Sequence, residues 1–166
     1  MNYPAAIMSF CAVLLAGCAN LPAEKSTDKK QIIFDGNVPF AHEKSIKKEV
    51  REECNLNKNL SNSIIEKSKE HGIYLSNKSV SQRKLSVEIA SATPGVFVFG
   101  NFGSVPAVLN VFFKVTEGDK VILEKRHECT TKLAGFMGLQ PSACNKLNKC
   151  AENQAEFIAR RLEELQ

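Results

Sequence analysis

The chain has 166 residues, with 22 lysines and arginines against 18 aspartates and glutamates, and a formal charge of +4. So mild a basic excess reads as a solvated face rather than as a surface for anionic lipid or polymer. The apolar run from Ala5 to Gly17 is much shorter than the roughly 20 residues a bilayer-spanning helix needs, which argues against a transmembrane anchor.

That run closes with Leu14-Leu15-Ala16-Gly17 directly before Cys18. The arrangement resembles the lipobox of bacterial lipoproteins, in which the signal is cut before the cysteine and the cysteine is acylated. The resemblance implies a signal peptide over residues 1–17, lipid on Cys18 and a membrane partner reached through that lipid. Acyl chains contribute roughly 0.8 kcal/mol per buried methylene, so a multiply acylated Cys18 would be a lasting anchor. Ala19 stands where an aspartate commonly favours inner-membrane retention, so the expected location is the outer membrane, facing the periplasm. Nucleic acid is disfavoured as a partner by that compartment. Residues 18–31 are polar and charged, with Lys25, Asp28, Lys29 and Lys30, and read as the lipidated N-terminus and a flexible tether. Residues 32–166 are then one globular periplasmic domain.

Within it, Gln31 to Phe34 is a short strand stopped by Asp35-Gly36-Asn37. Ile46, Val50 and Cys54 repeat at helical spacing, Asn55 to Asn59 interrupts the pattern, and Leu60, Ile64 and Ile65 restart it up to His71-Gly72. Glycine suits the left-handed position beyond a helix end, and His71 suits the negative end of the dipole. The period then changes to two. Leu85, Val87 and Ile89 alternate with Ser86, Glu88 and Ala90, and Val108 to Val115 and Val121 to Thr131 continue in that style around the turn residues Gly118 and Asp119. The tail from Cys144 to Gln166 carries a helical stripe of Leu147, Ala151, Ala155, Ile158, Leu162 and Leu165.

The expected fold is α+β: a four-stranded, mostly antiparallel sheet with two helical regions packed on one face, in the order strand, helix, three strands, helix. The other sheet face is left for solvent or a partner. A right-handed crossover makes the first, second and fourth strands parallel and brings the cysteines to one pole.

Setting aside Cys11 and Cys18, the even set Cys54, Cys129, Cys144 and Cys150 suits two disulfides in an exported protein. No paired histidines or cysteines offer a metal site, and no cofactor is implied. Cys144 and Cys150, six residues apart in one regular helix, point about 240° apart, so they do not pair with each other easily. Cys54 with Cys144 and Cys129 with Cys150 is the preferred pattern.

Candidates for chemistry are few. The loop Thr93 to Ser104, with Phe97, Phe99 and Phe102, is glycine-rich but has no phosphate-cradling motif, and Leu133 to Leu139, with Phe136 and Met137, is a second apolar loop. Exposed together, these loops would form a contact patch for an envelope protein. His127, Glu128 and Cys129 are adjacent, yet neighbours on a strand point to opposite faces and an oxidised Cys129 is no nucleophile. The expected function is therefore non-enzymatic: a lipid-anchored envelope protein that binds or assembles. The alternative is a small envelope enzyme or inhibitor with dispersed site residues. A titratable cluster in a cleft would favour the enzyme, and a flat apolar patch with a polar rim the binding protein.

The pattern Glu53-Cys54-x-Leu56-x-x-x-Leu60, the alternating strand at Leu85 to Ile89 and Cys144-x-x-Leu147-x-x-Cys150 with Ile158 and Leu162 resemble a family of small bacterial envelope lipoproteins without an assigned activity. The resemblance implies a lipid-anchored periplasmic domain and no particular chemistry. In element order alone the chain is similar to the lipopolysaccharide-assembly lipoprotein and to auxiliary lipoproteins of lipid transporters, a likeness of architecture only.

Overall fold

The computed structural model describes residues 31–78, 81–98, 103–131 and 143–166, with the backbone alone at 96–98 and 103–104. The elements run β1 (Gln31–Ile33), α1 (Lys48–Glu53), α2 (Leu56–Glu70), β2 (Tyr74–Ser76), β3 (Arg83–Thr93), β4 (Val96–Val98), β5 (Gly103–Val105), β6 (Ala107–Glu117), β7 (Lys120–Thr131) and α3 (Ala143–Glu163).

The broken helical pattern resolves into two helices. Asn55 sits between them in the left-handed region at φ 46°, a conformation asparagine tolerates better than other side-chain-bearing residues. Its backbone thereby turns α2 away from α1. At the other end, Gly72 takes φ 73°, and the Ile73 N–H reaches back 2.8 Å to the Ser68 carbonyl. This satisfies one of the last carbonyls of α2 and drives Ile73, fully buried, into the core.

Five strands form one sheet in the order β2-β1-β3-β6-β7, and β4 pairs with β5 in a separate hairpin. β1 is parallel to both β2 and β3, while β3–β6 and β6–β7 are antiparallel. This corrects the expected four-stranded, mostly antiparallel sheet: it has a fifth strand and is evenly mixed. β2 escapes sequence reading because three residues are too few to show an alternation, and its pairing is purely a backbone matter. The expected common direction of the first, second and fourth strands corresponds to that of β1, β3 and β7.

Alternation decides which face is covered. Leu85, Val87 and Ile89 of β3 and Ala107, Leu109, Val111, Phe113 and Val115 of β6 are buried, and they meet Leu56, Leu60 and Ile64 of α2 and Leu147, Ala151, Ala155, Ile158 and Leu162 of α3 in one core. α3 lies over β6 and β7 and packs along α2. Gly95, just before the hairpin, admits no side chain: a Cβ there would stand 2.8 Å from both the Ala107 nitrogen and the Val105 carbonyl oxygen. Glycine is required at that position by close backbone approach. No helix among the described residues is long and apolar enough to cross a membrane.

Candidate functional site

The helices leave one face of the sheet uncovered. Register places Lys84, Ser86 and Glu88 of β3 beside Thr116, Lys114 and Phe112 of β6. Beyond them Glu124 and Arg126 of β7 stand opposite Lys114 and Phe112. Phe112 is half-buried, as are Glu88 and Lys114, and together with Asp35, Asn37, Pro39, Lys84 and Ser86 they line a groove of about 240 Å³. Among the described residues the side chains of Lys84, Glu88 and Lys114 enter no ion pair, whereas Arg83, one residue away, is held by Glu117 at 2.8 Å. The groove is a mixed-charge surface around one aromatic ring. It is neither the flat apolar patch nor the acid-base cleft that the sequence set up as alternatives.

The groove exists because β1 does not continue along β3. Ile33 pairs with Lys84, and the next contact of that segment with β3 is Phe40 beside Ile89. Residues 33–40 cover residues 84–89, two more than regular pairing needs. The excess is taken up by a turn at Gly36, φ 75°, and Asp35, whose carboxylate accepts the Asn37 N–H at 2.9 Å. The Ser61 hydroxyl of α2 pins this loop by donating to the Gly36 carbonyl at 2.7 Å.

On the covered face a second polar cluster lies at the sheet edge. Gln154 of α3 is fully buried, and its amide nitrogen donates to the Leu109 carbonyl at 3.0 Å and the His127 carbonyl at 2.9 Å. Both amide hydrogens are thus spent, so Oε1 is the acceptor facing His127 Nδ1 at 2.8 Å, and that ring nitrogen carries the proton. The His127 ring stacks on Phe157 at 3.8 Å, and the Arg161 guanidinium lies 5.2 Å from the same ring. His127 thus serves the packing of α3 on β7. Glu128 faces the other way, and Cys129 is in a disulfide. Among the described residues no group of histidines, cysteines and carboxylates could hold a metal ion.

His71, at the end of α2, ties that helix to α3: its ring nitrogens meet Glu163 at 2.7 Å and Glu156 at 3.3 Å. The Glu163 hydrogen bond, with help from Glu156, raises the imidazole above its usual 6.5. Arg160 first, and His71 second, lower Glu156 below its usual 4.5. The histidine's contribution is complete below 6.5 and is lost as pH rises through its raised folded value. That of Glu156 is complete above 4.5 and is lost as pH falls through its lowered folded value. Urea titrations should therefore show the stabilisation of the native chain over His71→Gln to be largest between about pH 4.5 and 6.5 and to shrink towards pH 8. A difference that stays constant from pH 5 to 8 would contradict the assignment.

The cysteines meet where α3 begins. Cys54, at the end of α1, bonds Cys144, and Cys129, near the end of β7, bonds Cys150. These are the pairings preferred from the topology: a regular α3 turns its two cysteines apart, one towards α1 and the other towards the sheet. Beside them the Asn59 amide donates to the Cys54 carbonyl at 3.2 Å and to Asn148 Oδ1 at 3.0 Å. Residues 1–17, Cys18, Phe99, Phe102, Phe136 and Met137 lie outside the described residues. Phe97 is placed by backbone alone, in β4. The contact patch expected from the two apolar loops therefore falls outside the described residues.

No protein-family model matches the chain, and no curated protein matches it. Solved structures do. A PelC dodecamer from Paraburkholderia phytofirmans aligns at TM-score 0.50 and 10% identity, over 82% of this chain and 87% of that one. A Xanthomonas campestris protein of the DUF330 family aligns at TM-score 0.52 and 9% identity, over 80% and 83%. A minor lipoprotein from Acinetobacter baumannii aligns at TM-score 0.48 and 14% identity, over 82% and 94%. At such identities the first two likenesses establish a shared fold: this chain is similar in architecture to PelC and to a DUF330 protein over most of its length.

Proposed function

We propose that this chain is a lipid-anchored protein of the bacterial cell envelope, held on the outer membrane by Cys18, that works by binding another envelope component on the open face of its sheet. The observation that carries the reading is the groove around Phe112. An antiparallel sheet normally covers one face and wets the other with short polar side chains, but this wet face keeps an aromatic ring and unpaired charges around a cavity. Aromatic side chains with adaptable polar neighbours are what binding surfaces use. The fold shared with PelC, which forms dodecamers, and with a DUF330 protein supports an assembly role, and the lipobox resemblance supports the anchor.

Replacing Cys18 with serine tests the anchor. The native chain should sediment with membranes and resist extraction by salt, and Cys18→Ser should move to the soluble fraction or stay uncut. Unchanged fractionation and unchanged mass would contradict lipid attachment.

A further inference from the structure

The interruption between β1 and β3 leaves specific backbone groups unused. Ile89 donates its N–H to Pro39 at 2.9 Å and accepts from Ala41 at 3.0 Å, so its pairing with Val111 across β6 is of the non-hydrogen-bonded kind. Along an antiparallel ladder the two kinds alternate, and Val87 opposite Phe113, two residues back in unbroken register, is of the same kind. The Val87 N–H and C=O therefore point towards the gap, and among the described residues no hydrogen bond meets them. Val87 is 4% exposed, and backbone groups in such a setting demand a partner.

What surrounds them limits what that partner is. The groove that reaches Val87 has Phe112 in its lining, Lys84 and Lys114 on diagonal positions of neighbouring strands, and Glu88 opposite Phe112. Two unpaired ammonium groups at one end suit a carboxylate, tempered by Asp35 on the loop. An aromatic ring with a half-buried carboxylate suits the start of a side chain or an amide. The small volume admits a short stretch of chain, not a folded partner.

We propose that this gap is a peptide site. It takes the end of an extended chain, whose backbone N–H and C=O complete the ladder at Val87 while its terminal carboxylate lies between Lys84 and Lys114. This is strand addition inside a sheet rather than at its margin. The proposal rests on the reading of the open face as a binding surface and names its ligand.

The test uses the full-length chain, isotope-labelled, purified from membranes in detergent, and titrated at millimolar concentration with three probes: the tripeptide Thr-Val-Thr as free acid, its C-terminal amide, and Thr-Pro-Thr as free acid. The Val87 amide should exchange fast in the free protein, then shift and become protected with the first probe. The amide form and the proline form should bind about tenfold more weakly, since one loses the charge and the other the N–H that pairs with the Val87 carbonyl. Lys84→Glu with Lys114→Glu, two surface changes whose effect on the fold the same spectrum reports, should abolish the preference for the free acid. A Val87 amide that is protected without peptide, that ignores all three probes because the gap holds only water, or that responds to them equally would overturn the proposal. Those results would leave intact any partner crosslinked from Phe112 in cells, so the two failures are distinguishable.

Discussion

Replacing Gln154 with leucine is expected to lower the free energy of unfolding by about 2–3 kcal/mol, although leucine is more apolar and similar in size. The substitution strands the His127 Nδ1–H and removes the second hydrogen bond of the Leu109 and His127 carbonyls, which the β6–β7 ladder already engages. Each buried polar group left without a partner costs about 1–3 kcal/mol, more than a hydrogen bond contributes when both partners can return to water. Gln154→Glu should be no milder, because a carboxylate has nothing to donate to the two carbonyls and is itself fully buried. Equilibrium unfolding in urea, read by far-ultraviolet circular dichroism, measures both. A loss below about 1 kcal/mol for the leucine variant would mean that the network is not what holds α3 to β6 and β7.

The two disulfides should differ in effect. Cys54–Cys144 links residues 90 apart and Cys129–Cys150 residues 21 apart. Loop-closure entropy then gives the first about 4–5 kcal/mol and the second about 3 kcal/mol. The paired variant Cys54→Ala with Cys144→Ala should accordingly be the less stable by more than 1 kcal/mol on that arithmetic. It should also loosen α1, a helix of six residues that is too short to persist without tertiary support. Unfolding of the two paired variants in the same denaturant series decides the order. The reverse order would show that the contacts of each bridge in the folded chain outweigh its effect on the unfolded one.

Much of this architecture is written in local patterns. Of the stripe expected on α3, Leu147, Ala151, Ala155, Ile158 and Leu162 are buried and Leu165, beyond the helix end, is half-buried, and the alternation of β3 and β6 identifies the covered face residue by residue. The cysteine pairing follows from strand direction and helix phase together. What the sequence hides are features made by long-range geometry. β2 is three residues long and stabilised by backbone pairing with β1, which no side-chain pattern records. Gln154 sits on the buried side of α3, but a polar residue in an amphipathic helix is ordinarily assigned to water, and its carbonyl partners belong to other strands. His71 suggested a helix end, yet its carboxylate partners lie 85 and 92 residues further on. The groove depends on two surplus residues between Ile33 and Phe40, an irregularity that only the register reveals.

The binding role of the open face is tested most directly in living cells, by placing a photo-crosslinking phenylalanine analogue at Phe112 and, as a control, at Ile65. The latter is on α2 and 42% exposed. With the native anchor, position 112 should give one discrete adduct with an envelope polypeptide that position 65 does not give, and Cys18→Ser should abolish it. The same adducts from both positions, or none from position 112 while the chain is folded and on the membrane, would contradict the account.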